Sequence, residues 1–541
     1  MNQRARTDLW LLAGFAAFLF FFGLNSFGLI GADEPRYAQV AREMLERRDW
    51  ITPTLGGKPW LEKPPLYYWQ ASLAYGIFGV RDWIARLPSA MDATFMVVAI
   101  YLFLRRFRPG FQLDGALMTA GSAAIIGYAR AASTDMPLAA AFTIALLGWY
   151  AWYESQTKSY LAVFYIFIGM GMLAKGPVAP VLAALVIVLF VAAQRDLHLA
   201  LRTLWLPGVA LFCLVAFPWY VAVQLRNPDF SRIFVLQHNL ERFGSNLYHH
   251  TQPFWYYLPV MLLALLPWTT FVIADAVETV QAWWGEGRSF SQSRDAWNAF
   301  LLLWLAVPAV FFSFSQSKLP GYILPAVPAG ALLLTEYVTR HVADNDPPPR
   351  WLIALHAIIS TLPLVAALMI RDSLITHRIL WTKTAFLGLS IAVVLAVGIA
   401  LTLAGRLGLR GLRFVTMVPV VLVIAALIRI DGPALDAVLS ARPVALEMSR
   451  METKPLPLAA FGVSRETEYG LAFYRNQPVH RYEWGFIPAG EHLLLTHGVS
   501  QAAITAMAPD RRVSLLGDFA PQDLHYYWVS APGLSHGPMH H

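Results

Sequence analysis

Long apolar runs recur along the chain, separated by short polar stretches, and many approach the roughly 20 residues needed to cross a bilayer. About 13 such windows predict membrane helices, near 9–30, 84–104, 113–130, 134–153, 159–176, 178–194, 203–223, 254–276, 297–314, 320–338, 351–371, 383–404 and 412–430. From about 431 the pattern changes. Short apolar runs at 457–463 (PLAAFGV), 492–496 (HLLLT), 512–517 (RVSLLG) and 525–530 (HYYWVS) read as strands, with SQAAITAMA (500–508) a helix between two of them. The expected architecture is a polytopic α-helical membrane domain, 1–430, followed by a small α/β domain, 431–541.

Composition agrees: 57% of the 541 residues are hydrophobic and only 14% charged, against roughly 25% charged in soluble proteins. The N-terminal MNQRARTDLW places charge before a long apolar segment without a small-residue cleavage site, so the first span is expected to be retained. The net charge of +7 reports Lys and Arg in loops and gives no support to nucleic-acid binding. A single cysteine, Cys213, lies in an apolar span, so neither a disulfide framework nor a cysteine metal site is expected.

An odd number of spans puts the termini on opposite sides. With the N-terminus inside, the basic stretches 105–110, 194–202, 284–295 and 405–413 fall in the cytoplasm. The outward segments are then 31–83, 132–137, 224–253, 315–321 and the tail. Segment 31–83 is also basic, but long translocated segments obey the charge rule poorly.

Those outward segments hold the candidate chemistry. In GADEPRYAQVAREMLERRDW (31–50), Tyr37, Val40, Ala41, Met44 and Leu45 fall on one face of an amphipathic helix. Asp33 is placed to cap it, Pro35 suits its first turn, and Glu43–Arg47 is an i,i+4 pair on the other face. An interfacial helix requires no more than that. The Asp33–Glu34 pair with Arg36 at a membrane boundary goes beyond it, because ionisable groups there are costly and usually functional.

In GGKPWLEKPPLYYWQ (56–70), Pro64 and Pro65 hold Glu62 and Lys63 in extended backbone ahead of the belt aromatics Tyr67, Tyr68 and Trp69. A fixed Lys63 beside an outward aspartate suits a phosphate-bearing substrate. ARAASTDMP (129–137) sets Asp135 at a helix start, where capping and catalysis are compatible. QHNLERFGSNLYHHTQPFWYY (237–257) gathers His238, Glu241, Arg242, His249 and His250. Adjacent histidines are a weak metal signal, while His238 with Glu62 offers zinc a nitrogen and an oxygen ligand. SQSKLPGYILP (315–325) puts Lys318 at a span start and Tyr322 one turn inside, where a snorkelling lysine and a belt tyrosine are the plain reading. The Asp-x-Asp form at 344–346 precedes a proline run in a cytoplasmic loop and reads as a linker.

Taken in order, Asp33-Glu34 with Arg36-Tyr37 and REML, then RDWI, LEKPP-x-YYW, HNLERF…PFWYY and SKLPGYILP resemble the bacterial aminoarabinose transferases. These are polyprenyl-phosphate-dependent glycosyltransferases of the GT-C architecture, related to protein O-mannosyltransferases. The resemblance covers residues 8 to about 330, and the last spans and the tail match only in general plan. It implies an integral inner-membrane enzyme that moves 4-amino-4-deoxy-L-arabinose from undecaprenyl phosphate to lipid A phosphates. A monomer is expected. By the resemblance, Asp33 and Asp135 are active-site carboxylates, Lys63 and Arg242 bind the carrier phosphate, and Arg36, Tyr37 and Tyr322 line the site. Lys318 is grouped with them as a substrate-binding candidate. A structural zinc in the family points to Glu62 and His238. Relatives with the same blocks transfer other sugars, including to protein hydroxyls, and a transporter of lipid-linked sugars is the rival of a different class. Transporters tend to place polar groups near the bilayer midplane, whereas the charges here cluster at one face.

Overall fold

The computed structural model describes residues 3–234, 252–285, 293–499 and 501–533. Among them, nine helices are long and apolar enough to span a membrane, with a tenth span if the bent pair Phe254–Ala264 and Thr269–Ala282 counts as one. Helix occurs in all 13 expected windows, so the difference lies in continuity. The window at 113–130 is split into Gln112–Ala120 and Ala123–Ala129. Gly121 sits at the break, where a Cβ would lie 2.7 Å from the Met417 sulfur. The Ala123 amide donates to the Leu266 carbonyl at 2.8 Å, in the bend of the other interrupted pair. Freed backbone groups thus find partners inside the bundle, as a lipid environment requires. The first window is helical only to Phe21, and Val178–Gln194 is short for a span.

Polar contacts sort to the two ends of the bundle. At one end Asp8 accepts from Gln112 and Tyr101, Arg108 pairs with Glu154, Arg413 with Asp114 and Arg340 with Asp275. At the other, Arg86 pairs with Glu34, Lys175 with Asp135 and Arg226 with Asp49. Span Asp82–Phe107 shows the sequence logic: an acid opens it and Arg105 and Arg106 close it, each favourable to the helix dipole.

The C-terminal part holds a five-stranded sheet in the order Val479–Arg481, Leu458–Phe461, His492–His497, Leu524–Val529, Val513–Phe519. Leu458–Phe461 runs parallel to both its neighbours, and the remaining pairs are antiparallel. Helix Arg465–Arg475 makes the crossover that a parallel pair needs. The expected strands and the helix Gln501–Met507 are present, and Val479–Arg481 is an additional strand.

This unit docks on the Glu34 end. Arg42 donates to the Phe473 carbonyl at 2.7 Å, Tyr474 hydroxyl donates to Asp82 and accepts from the Leu29 amide, and Arg442 donates to Asp82 at 2.9 Å. Helix Asp33–Arg47 is therefore covered on both sides, with ten residues buried, rather than lying open in the interface. Asp33 is its first residue and caps nothing; the N-cap is Ala32. Glu43 is buried and accepts from Thr54 Oγ1 and the Gly56 amide, both at 2.8 Å, anchoring the hairpin 54–59. It is not a solvent-face partner of Arg47. Tyr67 and Tyr68 are likewise buried, packed edge-on against each other and tilted against Tyr37, and do not form an interfacial belt.

Candidate active site

Four segments meet at the docked end: the first turn of Asp33–Arg47, the strap 60–65, the turn 128–135, and Pro320–Ala326 at the start of its span. Proline shapes two of them, since Pro65 precedes helix Leu66–Phe78 and Pro320 opens the 3₁₀ turn.

Asp33 pairs with Arg36 one turn on, and more than half of its carboxylate side chain (58%) faces solvent. The Arg36 guanidinium lies 5.1 Å from the Trp60 ring, 5.2 Å from Tyr37 and 5.6 Å from Tyr469 of the C-terminal unit. Burial works against its charge, but Tyr37, Asp33 and Glu62 outweigh it and hold the guanidinium above its usual range. Tyr37 is buried, and burial together with Asp33 and Asp135 keeps its phenol protonated well above the ordinary range. Both carboxylates thus act on one tyrosine.

Asp135 is in a different state. Lys175, the last residue of Lys158–Lys175, forms an ion pair with it, and Ser133 Oγ donates to its other oxygen at 2.9 Å. The same Ser133 oxygen accepts the Asp135 amide at 3.0 Å. Lys175 Nζ also stands 4.7 Å from the Tyr322 ring. Lys63 is close enough for its charge to act on Asp135. Tyr128 faces Asp135, Asp33, Tyr256 and Tyr322. Gly321 completes the contact: a Cβ there would lie 2.6 Å from the Tyr128 hydroxyl and 3.0 Å from the Asp135 carboxyl carbon.

Asp33, Arg36, Tyr37, Glu62, Lys63, Asp135 and Tyr322 therefore converge. Lys318 does not join them as a charge. It is buried, donates to the Ser315 carbonyl at 2.6 Å and the Gln252 carbonyl at 3.1 Å, and burial holds its ammonium below the usual range. It ties the end of one loop to the next span. Arg242 and His238 lie outside the described residues. Glu62 presents an oxygen donor beside Arg36, and no group of three or more His, Cys, Asp or Glu side chains among the described residues is placed to hold a metal.

Lys175, Ser133 and Tyr128 were not singled out by the sequence. A lysine closing an apolar helix reads as a snorkelling terminus; its one distinguishing signal is that the next apolar helix begins only three residues later, so Lys175 lies at a tight connection.

Residues 62–221 match the family described as dolichyl-phosphate-mannose-protein mannosyltransferase. An undecaprenyl phosphate-α-4-amino-4-deoxy-L-arabinose arabinosyl transferase of Pseudomonas fluorescens Pf0-1 is 30% identical over 401 residues, covering 72% of this chain and 68% of that protein. A second, from strain Pf-5, is 30% identical over 72% of this chain and 65% of its own length. The chain thus spans about two thirds of these relatives. Its fold is similar to the crystal structure of ArnT from Cupriavidus metallidurans bound to undecaprenyl phosphate, with TM-score 0.76, 23% identity and coverage of 98% and 99% of the two chains. The fold is therefore GT-C. On these comparisons the chain belongs to the family of undecaprenyl phosphate-α-4-amino-4-deoxy-L-arabinose arabinosyl transferases.

Proposed function

We propose that this protein is an inverting glycosyltransferase that moves 4-amino-4-deoxy-L-arabinose from undecaprenyl phosphate to a phosphate of lipid A. The reading rests above all on the convergence of an open carboxylate, Asp33, with a clamped one, Asp135, beside Lys63 and Tyr322. The cluster lies at the opposite end of the bundle from the basic stretches 105–110 and 405–413. That supports a cytoplasmic N-terminus and a periplasmic active site in the inner membrane. It also supports a membrane domain, 1–430, carrying the outward loops 31–83 and 224–253, with 431–541 a periplasmic α/β domain. A site on that face has no supply of cytosolic nucleotide sugars, which favours a lipid-linked donor. We take the enzyme to act as a monomer.

The acceptor phosphate is ionised near neutral pH and is itself the nucleophile. One of its oxygens attacks the anomeric carbon as the bond to the carrier phosphate breaks with its electron pair, releasing undecaprenyl phosphate and inverting the carbon. No proton needs to move. Charge rises on the carrier phosphate, where Lys63 and Arg242 stabilise it; losing one such donor should raise the barrier by about 2.7–4 kcal/mol. Arg242 offers a bidentate fork and Lys63 a point charge. Arg36 holds Asp33 so that its free oxygen meets the sugar ammonium or orients the acceptor. Asp135 has its charge balanced by Lys175 and accepts a hydrogen bond from Ser133, which fits a part in positioning Tyr322, Lys63 and Tyr37. A structural zinc would take Glu62 and His238 as oxygen and nitrogen ligands, and metal analysis of the purified protein tests that assignment.

The test is mass spectrometry of lipid A from cells that make the donor and either the wild type or Asp33→Asn. An Asp33-dependent mass gain of one aminopentose on a phosphate is expected. No gain with either stably inserted protein would overturn the lipid A assignment. Sugar on exported proteins would instead make Asp33 a general base for a hydroxyl acceptor.

A further inference from the structure

The Arg36 guanidinium is held by rings from three separate parts of the chain. Tyr37 follows it in helix Asp33–Arg47, Trp60 comes from the strap, and Tyr469 comes from helix Arg465–Arg475 of the C-terminal unit, at 5.2, 5.1 and 5.6 Å. Two of the rings are pinned inside the membrane domain. Tyr37 is buried with Tyr67 and Tyr68, and the Trp60 amide donates to the Pro53 carbonyl at 2.8 Å. Tyr469 is half-buried, and its hydroxyl has no hydrogen-bond partner among the described residues. Its ring is therefore what joins it to the site.

That contact is one end of a seam. Helix Arg465–Arg475 lies along helix Asp33–Arg47, and the contacts run in order: Tyr469 at Arg36, Phe473 at Arg42, Asn476 at Glu46. Phe473 takes Arg42 on its carbonyl at 2.7 Å and on its ring at 4.5 Å, and Asn476 Nδ2 donates to Glu46 at 3.4 Å. Phe473 is buried in the same core as Tyr37, so the middle of the seam carries the docking. Tyr469 stands at the end nearest Asp33.

Asp33 needs such support. Arg36 Nη2 donates to Asp33 Oδ1, and Oδ2 has no hydrogen-bond partner among the described residues. With more than half of Asp33 facing solvent, an ion pair to the next turn fixes neither side chain by itself, because both rotate and water competes. Aromatic faces attract a guanidinium, and more strongly where water is excluded. The Arg36 side chain is 16% exposed, so the rings act on it under that condition. A guanidinium held in place then holds Asp33 Oδ1.

Building on the reaction proposed above, we infer that Tyr469 is a positioning residue of the transferase. Its ring closes the clamp on Arg36, which sets the free oxygen of Asp33, and the C-terminal unit is thereby part of the active site. Docking and positioning fall to different residues of one helix, Phe473 and Tyr474 for the first and Tyr469 for the second.

The test uses the full-length protein in proteoliposomes with aminoarabinosyl undecaprenyl phosphate and lipid A. Tyr469→Leu keeps an apolar side chain of similar reach and removes the aromatic face. It should lower kcat about five- to thirty-fold, the rate equivalent of a desolvated cation–π contact. The donor KM and the thermal midpoint should hold, because Lys63 and the Phe473 contacts are untouched. Tyr469→Phe should recover most of the loss. Glu46→Ala, at the far end of the seam, should keep the wild-type kcat. Independently of the reaction, phenylglyoxal should modify Arg36 several-fold faster in Tyr469→Leu than in the wild type or Tyr469→Phe, as read by peptide mass spectrometry.

Wild-type kcat in Tyr469→Leu would overturn the assignment. Equal losses in the Leu and Phe variants would overturn it too, by giving the role to the hydroxyl. A loss of kcat accompanied by a lower thermal midpoint and a raised donor KM would make Tyr469 a docking residue instead. If the wild type moves no aminopentose to lipid A, the reaction itself is wrong. The phenylglyoxal rates then decide the clamp alone: faster modification of Arg36 in Tyr469→Leu supports it, and equal rates overturn it.

Discussion

Arg86 grips Glu34 through two hydrogen bonds, Nε to Oε1 at 3.0 Å and Nη2 to Oε2 at 2.7 Å, with the arginine side chain 2% exposed. The same carboxylate accepts the Ile30 and Ala132 amides, so one acid joins three segments around the site. Removing one partner of a buried pair strands the other charge, at a cost of about 3–5 kcal/mol. Arg86→Met should therefore lower thermal stability in detergent by that order and reduce membrane-inserted yield. Asp33→Asn, one residue from Glu34 but largely exposed, should stay within about 0.5 kcal/mol of the wild type while losing transfer activity. Equal thermal losses in the two variants would refute this division of labour.

Asp135 and Lys175 behave as a coupled unit. Both side chains are mostly buried, and each is the other's compensating charge. Lys175→Met and Asp135→Asn should each destabilise the protein, and the double variant should be less destabilised than the sum, with a coupling of about 0.5–3 kcal/mol. Transfer should stay lost in the double variant, because Tyr322 and Lys63 no longer face an anchored carboxylate. Additive thermal losses would show that the pair is not coupled.

Much of this site was legible because it depends on local pattern. Hydropathy located the spans, and the charges at their ends pointed to Asp33, Arg36, Lys63 and Asp135. What escaped depends on contacts between segments far apart in sequence. Glu34 and Glu43 sit in one helix with Asp33, and nothing local says that Arg86 and the Gly56 amide will bury them. Tyr67 and Tyr68 read as belt aromatics until the C-terminal unit and Tyr37 cover them. Lys175 needs Asp135 of the preceding span to become more than a helix terminus. The breaks at Gly121 and near Leu266 show no gap in hydropathy, since each interruption is repaired by the other's backbone.

The C-terminal unit should lose stability in mild acid through His492. This imidazole is buried, accepts from the Tyr482 hydroxyl at Nε2 and donates from Nδ1 to the Gly490 carbonyl at 2.9 Å. Burial is the main reason its basicity falls below the ordinary 6.5. A base kept neutral by folding takes up protons preferentially in the unfolded state, so stability rises with pH across the window between the two values. Its contribution is present above about pH 6.5 and is lost as pH falls from there towards the depressed folded value. Hydrogen exchange of strand His492–His497 in the full-length protein should therefore accelerate over that window. His492→Gln should flatten the dependence, and an unchanged profile would remove His492 as its source.

Gly321 tests the geometry of the site without removing a polar group. Its hydrogen stands where a Cβ would press on the Tyr128 hydroxyl at 2.6 Å, the Tyr128 ring at 2.9 Å and the Asp135 carboxyl carbon at 3.0 Å. Tyr128 is partly exposed and can yield, whereas Asp135 is held by Lys175 and Ser133. Alanine at 321 must therefore shift the tyrosine, the carboxylate or both by several tenths of an ångström. Misplacement of catalytic groups by about 1 Å costs on the order of 10²-fold in rate. Gly321→Ala should accordingly cut kcat by about ten- to a hundred-fold with little change in thermal stability. Gly127→Ala, which adds the same methyl group into open space, serves as the matched control and should retain kcat. Wild-type kcat in Gly321→Ala would mean that the close approach of Asp135, Tyr128 and the 320–326 turn is not needed for transfer.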